Sequence, residues 1–91
     1  MQARVHLMIS GRVQGVGFRH YCLQSARQAG LRGWVRNVDD ACVEVMAEGE
    51  ESILESFVCR CRRGPPTASV RACRETYAPP TGTLDAFDVV F

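Results

Sequence analysis

Hydrophobic and polar residues alternate with two different periods along this chain. A period of two, typical of half-buried strands, is clearest where Val5, Leu7 and Ile9 alternate with polar neighbours. A period of about 3.6, typical of amphipathic helices, places Leu54, Phe57 and other apolar residues on one stripe. These patterns predict helices at residues 18–29 and 50–62 and strands at residues 3–10, 31–38, 42–48, 68–77 and 86–91.

Glycine and proline residues separate the predicted elements. Gly30 predicts a left-handed C-cap for the first helix, and Gly49 predicts the end of the third strand. The turn at residues 39–41 is short enough to join the second and third strands into a hairpin. Residues 64–66 and 79–82 contain the prolines and predict loops.

The order β-α-β-β-α-β plus a C-terminal strand predicts an α+β fold. The closest arrangement is the ferredoxin-like split βαβ sandwich, with two helices on one face of a mostly antiparallel sheet. The other face can contact water, as the clean alternation permits. We expect Val70 and Ala72 to point inward from the fourth strand, and the last strand to carry Phe87, Val89 and Phe91.

Length and charge limit the classes of protein that this chain can represent. Its 91 residues predict one domain, 1–91, of ordinary hydrophobic content. A net charge of +1 provides no broad positive field for nucleic acid or a membrane surface. No window approaches the roughly 18 apolar residues of a membrane span, and the N-terminus lacks the features of a signal peptide.

The five cysteines favour neither a disulfide framework nor a zinc site. Their number is odd, no Cys-x-x-Cys pair occurs, and His6 and His20 are poorly spaced as metal ligands. We therefore expect the cysteines to be small buried or half-buried apolar side chains.

The most unusual segment is "SGRVQGVGFRH" at residues 10–20, where the first helix begins. It has no conventional N-cap residue, and Arg19 and His20 oppose the helix dipole. Gly15 and Gly17 permit positive φ and let a ligand approach the backbone. Two interpretations stay open: a glycine turn with a solvated Arg19, or an anion cradle completed by a phosphate group. A Walker loop needs a lysine that this chain lacks, and His20 replaces the third glycine of a dinucleotide fingerprint.

Several motifs together resemble the acylphosphatase family. They are "GRVQGVGFRHYC", "GLRGWVRNVDD", "VEVMAEG", "GPPTASV" and "FDVVF", in the order and spacing of that family over nearly the whole chain. The resemblance implies a ferredoxin-like fold. It also implies hydrolysis of the carboxyl–phosphate anhydride of acyl phosphates to carboxylate and inorganic phosphate, with no metal, no cofactor and no phosphoenzyme.

The resemblance also implies roles for individual residues. Arg19 binds the phosphoryl group, and Asn37 positions the attacking water. The substrate-binding loop amides are those of Gln14, Gly15, Val16, Gly17 and Phe18.

Two features leave the role of Asn37 open at this point. Taken alone, Asn37 is better explained as a turn-forming residue at a strand end. One departure from the family pattern follows it, because Ala41 stands where the family usually has glycine. Alanine is costly at positive φ, so we expect the turn to change type.

Other side chains and functions are less well supported by the sequence. His20 could act as a general base beside Arg19, but the resemblance gives it no role. His6 is expected on the outer sheet face, and Trp34 either in packing or as a wall near the site. An RNA-binding module would favour exposed aromatics that the central strands lack.

The leading hypothesis is a cytoplasmic, monomeric enzyme whose partner is a small-molecule acyl phosphate. A carbamoyl-phosphate-handling domain, as in hydrogenase-maturation proteins, is the other alternative. Those domains belong to long chains, whereas we expect these 91 residues to be complete. No set of side chains in the sequence predicts a pocket for the acyl group.

Overall fold

The computed structural model describes residues 1–39 and 41–91, and its elements follow the predicted order. They are β1 (Gln2–Arg12), α1 (Phe18–Gln28), β2 (Arg32–Val38), β3 (Cys42–Glu50), α2 (Glu51–Arg63), β4 (Ser69–Ala78) and β5 (Asp88–Val89). The sheet order is β4-β1-β3-β2-β5, and every pair is antiparallel except β2 and β5. The predicted ferredoxin-like α+β arrangement, with two helices packed on a mostly antiparallel sheet, is confirmed.

The core lies between the sheet and the two helices. The β1–β3 register brings the inward residues of both strands together, since Leu7 lies opposite Val45 and Ile9 opposite Val43. Helix α1 buries Phe18 against this surface, and α2 buries Phe57. Each such side chain contributes about 1.5–3 kcal/mol when it leaves water. This packing fixes the position of the N-terminus of α1 relative to the sheet.

The first helix ends as the sequence predicts. Gly30 has φ +71°, and its N–H donates to the carbonyl of Arg27. The next N–H, that of Leu31, donates to the carbonyl of Ala26 at 3.0 Å, which completes a Schellman motif. Within the described residues, neither helix has the length and apolar character to cross a bilayer.

The predicted ends of three strands are wrong. Strand β1 does not end at Ser10 but continues to Arg12. Strand β3 does not end at Gly49, because Gly49 pairs with Ala3 and Glu50 pairs with Gln2 in the β1 ladder. The last strand is not 86–91 but only the two residues of β5, which pair with Trp34 and Val35. The apolar pattern predicted a longer last strand than the structure has, because β5 pairs with a single parallel strand, β2.

The prediction that Ala72 points inward is also wrong. The register of β1 with β4 shifts between Ser10 and Gly11, so that Ala72 pairs with Ser10 and Val70 pairs with Gly11. The residue between them, Arg71, is extra, and such a bulge inverts the alternation of side chains. Val70 is therefore partly buried against the core, whereas Ala72 is exposed.

The outer face of the sheet is partly covered where we expected water. Glu48 is fully buried there, and its carboxylate accepts hydrogen bonds from Thr81 N–H at 2.6 Å, Thr81 Oγ1 at 2.8 Å and Gly82 N–H at 3.2 Å. Burial raises the pKa of Glu48, but these donors and the Arg32 guanidinium outweigh it and hold that pKa below its ordinary value. The carboxylate thus anchors the loop after β4.

The cysteines follow the prediction except at one position. Cys22 and Cys61 are buried, with their sulfur atoms 3.9 Å apart between the two helices. Cys42 and Cys73 are half-buried, whereas Cys59 is exposed on α2, which contradicts the prediction for that residue. The hydrogen bond to Cys22, together with burial, raises the pKa of the Cys61 thiol well above its ordinary value.

Candidate active site

Helix α1 begins without a side-chain cap. Gly17 occupies the N-cap position with φ 80° and ψ 15°, and no side chain accepts a hydrogen bond from the first turn. The first turn contains no acidic residue. Since the first N–H groups of a helix lack intrahelical acceptors, this end presents donors and a partial positive charge without a counter-group.

The two glycines before the helix leave room beside the backbone. Gly15 has φ +71° and Gly17 has φ +80°. A Cβ placed on either residue would meet no heavy atom of the described residues within 4 Å. Glycine is therefore required here by backbone conformation rather than by packing.

Two side chains hold the loop between β1 and α1 in place. Gln14 donates through Nε2 to the carbonyls of Asp39 at 2.6 Å and Cys42 at 2.8 Å. From the other side, Thr67 Oγ1 donates to the carbonyl of Val16 at 2.7 Å. The loop is thus tied both to the β2–β3 hairpin and to the segment after α2. From the sequence, Gln14 was expected to contribute only its backbone amide and Thr67 had no expected role, because the partners of both side chains are distant in sequence.

A cavity of about 310 Å³ opens beside this loop. Four of the predicted binding residues line it, namely Gly15, Gly17, Phe18 and Arg19, whereas Gln14 and Val16 do not. The remaining lining residues are Val13, His20, Val89 and Phe91. Val13, Val89 and Phe91 had no assigned role at the site, and no sequence signal connects them because they come from opposite ends of the chain.

Arg19 is half-buried at this cavity. Among the described residues, no carboxylate lies within ion-pair distance of its guanidinium. Its Cζ atom instead lies 5.4 Å from the ring centroid of Phe91. A cation beside unpaired helix amides is an arrangement that favours a bound anion, and a planar guanidinium matches two phosphate oxygens.

Asn37 lies at the same end of the sheet but outside the lining of the cavity. It pairs with Val43 in the β2–β3 register and is exposed. It shares the helix-facing side of β2 with buried Val35, two residues earlier. Among the described residues, its side-chain amide has no hydrogen-bond partner, which leaves it free to bind water.

The turn after Asn37 is described except for Asp40. Asp39 has φ 52°, and its carboxylate accepts a hydrogen bond from the N–H of Ala41 at 2.9 Å. The predicted change of turn type involves Asp40, which lies outside the described residues, and it stays a prediction.

The other candidate side chains do not share one location. His20 is exposed at the cavity. His6 lies on the outer sheet face, as predicted. There its Nε2 atom lies 2.6 Å from Glu44 Oε2, and Arg36 Nε donates a hydrogen bond to Glu44 Oε1 at 2.7 Å. Burial raises the pKa of Glu44. The hydrogen bonds from His6 and Arg36 lower this pKa by more than burial raises it, so it lies below its ordinary value. The Cζ atom of Arg36 lies 5.2 Å from the ring centroid of Trp34, so Trp34 packs away from the cavity.

Comparisons with known proteins agree with this geometry. A family model described as Acylphosphatase matches residues 5–89. A protein named acylphosphatase from Anaeromyxobacter sp. (strain Fw109-5) is 47% identical over 96% of this chain and 94% of its own length. Among solved structures, acylphosphatase from Bacillus subtilis superposes with a TM-score of 0.93 at 37% identity, covering 98% of this chain and 99% of the other.

A similarity to a much larger protein bears on the alternative considered above. Full-length HypF, solved in a phosphate- and nucleotide-bound form, matches with a TM-score of 0.89 at 26% identity. All of this chain is covered but only 12% of HypF, whereas the Bacillus and Anaeromyxobacter proteins match over nearly their full length. Fold, loop geometry and these matches together establish that the chain belongs to the acylphosphatase family, a family of enzymes.

Proposed function

We propose that this chain hydrolyses acyl phosphates by in-line attack of water on the phosphoryl group, with Arg19 and Asn37 as its catalytic residues. The observation that carries the proposal is the N-terminus of α1, where Gly17 replaces a capping side chain and Arg19 has no carboxylate partner among the described residues. A phosphoryl group satisfies both deficits, because its oxygens accept from amides and from a guanidinium.

The phosphoryl group binds in the cradle formed by the loop amides and Arg19. These donors face the equatorial oxygens, on which negative charge is spread in the transition state of phosphoryl transfer. Donors fixed before the reaction stabilise that charge without reorganising. Gln14 and Thr67 provide such rigidity, since their hydrogen bonds hold the loop from both sides.

Asn37 positions the water. Its amide oxygen accepts a hydrogen bond from the nucleophile and holds it in line with the bond that breaks. The water oxygen forms a new bond to phosphorus, the bond from phosphorus to the bridging oxygen breaks, and the electron pair leaves on the carboxylate. Asn37 is not a base, so the proton of the water passes to a phosphate oxygen.

We also propose a domain organisation, an oligomeric state, a cellular location and a metal requirement for this enzyme. Residues 1–91 act as a single domain, as a monomer in the cytoplasm, on a small-molecule substrate and without a metal. The match of the family model to residues 5–89 supports the single domain. The chemistry supports the lack of a metal, because Arg19 takes the place that a magnesium ion occupies in many phosphoryl-transfer sites.

Hydrolysis assays with a matched arginine control test the proposal. Wild type should hydrolyse acetyl phosphate, leave an alkyl phosphate ester nearly untouched, and keep its activity after exhaustive chelation. Arg19→Ala should weaken competitive inhibition by phosphate about 10–100-fold, which corresponds to the free energy lost with one hydrogen bond between charged groups. Arg74→Ala removes an exposed arginine of β4 at the opposite edge of the sheet and should behave as wild type. Equal effects of the two substitutions would overturn the assignment of Arg19.

A further inference from the structure

The C-terminal segment places an aromatic ring beside Arg19, one of the two proposed catalytic residues. Strand β5 runs parallel to β2 with Val89 opposite Val35, and the N–H of Val90 donates to the carbonyl of Val35 at 2.9 Å. Phe91 follows two residues after Val89, where the pairing of β5 with β2 ends. Its ring centroid lies 5.4 Å from Cζ of Arg19, in the range of a cation–π contact.

The lining of the cavity beside the loop combines two kinds of chemistry. Gly15, Gly17 and Arg19 contribute backbone and charge, and His20 contributes an exposed ring. Val13, Phe18, Val89 and Phe91 contribute apolar surface. A ligand that uses both kinds of contact has an anionic head and an apolar body. The cavity volume of about 310 Å³ is at the small end of the range for small-molecule sites, so the apolar body of the ligand is small as well.

We propose that Phe91 determines substrate specificity, by providing the wall against which the acyl group of the substrate lies. This inference rests on the proposed function, because it assigns the head of the ligand to the phosphoryl group at Arg19. Phe91 is fully exposed, at 103% of the reference area, although its ring lies beside the guanidinium. The ring therefore has free surface on which a planar or branched acyl group can pack. Aromatic acyl phosphates gain most from this wall, since ring pairs are favoured beyond their buried area.

The direct test compares an aromatic with a small acyl phosphate. In Phe91→Ala, the ratio of kcat/KM for benzoyl phosphate to that for acetyl phosphate should fall about fivefold, which is within the range of one aromatic pair. The loss should be in KM for benzoyl phosphate. Phe91→Tyr keeps the ring and should keep the ratio. Tyr77→Ala removes an exposed aromatic of β4, at the far edge of the sheet, and should leave both substrates unaffected.

A binding measurement separates this inference from the proposed function. Benzoylphosphonate and acetylphosphonate lack the bridging oxygen and cannot be hydrolysed at that position, so calorimetric titration reports affinity alone. Wild type should prefer benzoylphosphonate, and Phe91→Ala should lose that preference whether or not turnover is detected. Equal preference in wild type and Phe91→Ala overturns the inference. A parallel loss for both ligands also overturns it, because the ring would then act through Arg19 rather than on the acyl group.

Discussion

The side chain of Gln14 donates a hydrogen bond of 2.6 Å to the carbonyl of Asp39, two residues beyond Asn37. The same amide nitrogen donates to Cys42 at 2.8 Å, so it spans the hairpin turn from the start of the phosphate loop. This contact couples the two halves of the proposed site. Its loss leaves the loop amides present but releases the turn that positions Asn37.

Gln14→Glu tests this coupling with almost no change of shape. A carboxylate cannot donate to the two carbonyls, so we expect the free energy of unfolding to fall by about 1–3 kcal/mol. We also expect kcat to fall roughly tenfold, as for a displaced catalytic group, and phosphate inhibition to weaken as well, because the added charge lies in the loop that binds the phosphoryl group. Steady-state kinetics and urea denaturation measure both. Gln24→Glu, on an exposed position of α1, is the matched control. A parental kcat in Gln14→Glu would show that the turn needs no such support.

Periodicity predicted the fold well because most of the core uses it directly. The inward residues of β1 and β3 alternate with period two, and the register pairs them as that pattern requires. Predictions failed where the tertiary environment overrides the local pattern. The register shift between Ser10 and Gly11 turned the side chain of Ala72 away from the core. The loop that contains Thr81 buried Glu48 on a sheet face that we expected to contact water.

The site was predictable where its residues are neighbours in sequence. The uncapped helix start and the positive φ of Gly15 and Gly17 follow from the local composition, and both are confirmed. The supporting contacts were not predictable. Gln14 and Thr67 bind backbone carbonyls, which carry no side-chain signal. Phe91 fits a strand pattern equally well, and only the contact between its ring and Arg19 in the folded chain places it at the site.

Buried Glu48 predicts a pH-dependent contribution to stability. Its pKa is lower in the folded chain than the ordinary value of about 4.3 that applies to the unfolded chain. The stabilisation is therefore complete above the unfolded pKa and is lost as the pH falls through the folded pKa. Glu48→Gln should lower the free energy of unfolding by about 1–3 kcal/mol at pH 7. The gap to wild type should shrink toward pH 3 in denaturant titrations. A gap that is constant with pH would contradict an ionised Glu48.

The cysteines predict a graded reaction with thiol reagents. Thiolates are the reactive species, and both burial and the Cys22 contact disfavour the thiolate of Cys61. Cys59 is exposed, so we expect one fast thiol in the native protein at pH 7, which Cys59→Ser should remove. Cys22 and Cys61 should react only on unfolding, as followed by absorbance with an aromatic disulfide. A rapid reaction of all five thiols would mean that the space between the helices opens readily.

The last prediction separates binding from catalysis at Asn37. Because Asn37 lies outside the cavity lining while Arg19 lies within it, the two residues should have separable effects. Asn37→Ala should leave phosphate inhibition within about twofold but lower kcat by about 10²–10³-fold, by analogy with the loss of one oriented transition-state contact. The residue is exposed at the end of β2, so the melting temperature should change little. Asn37→Asp keeps an acceptor but adds a charge that repels the phosphoryl group, and it should weaken phosphate binding as well. A folded Asn37→Ala that binds phosphate and retains the parental kcat would refute the role of Asn37. Joint loss of phosphate binding and stability would instead identify it as a turn-forming residue.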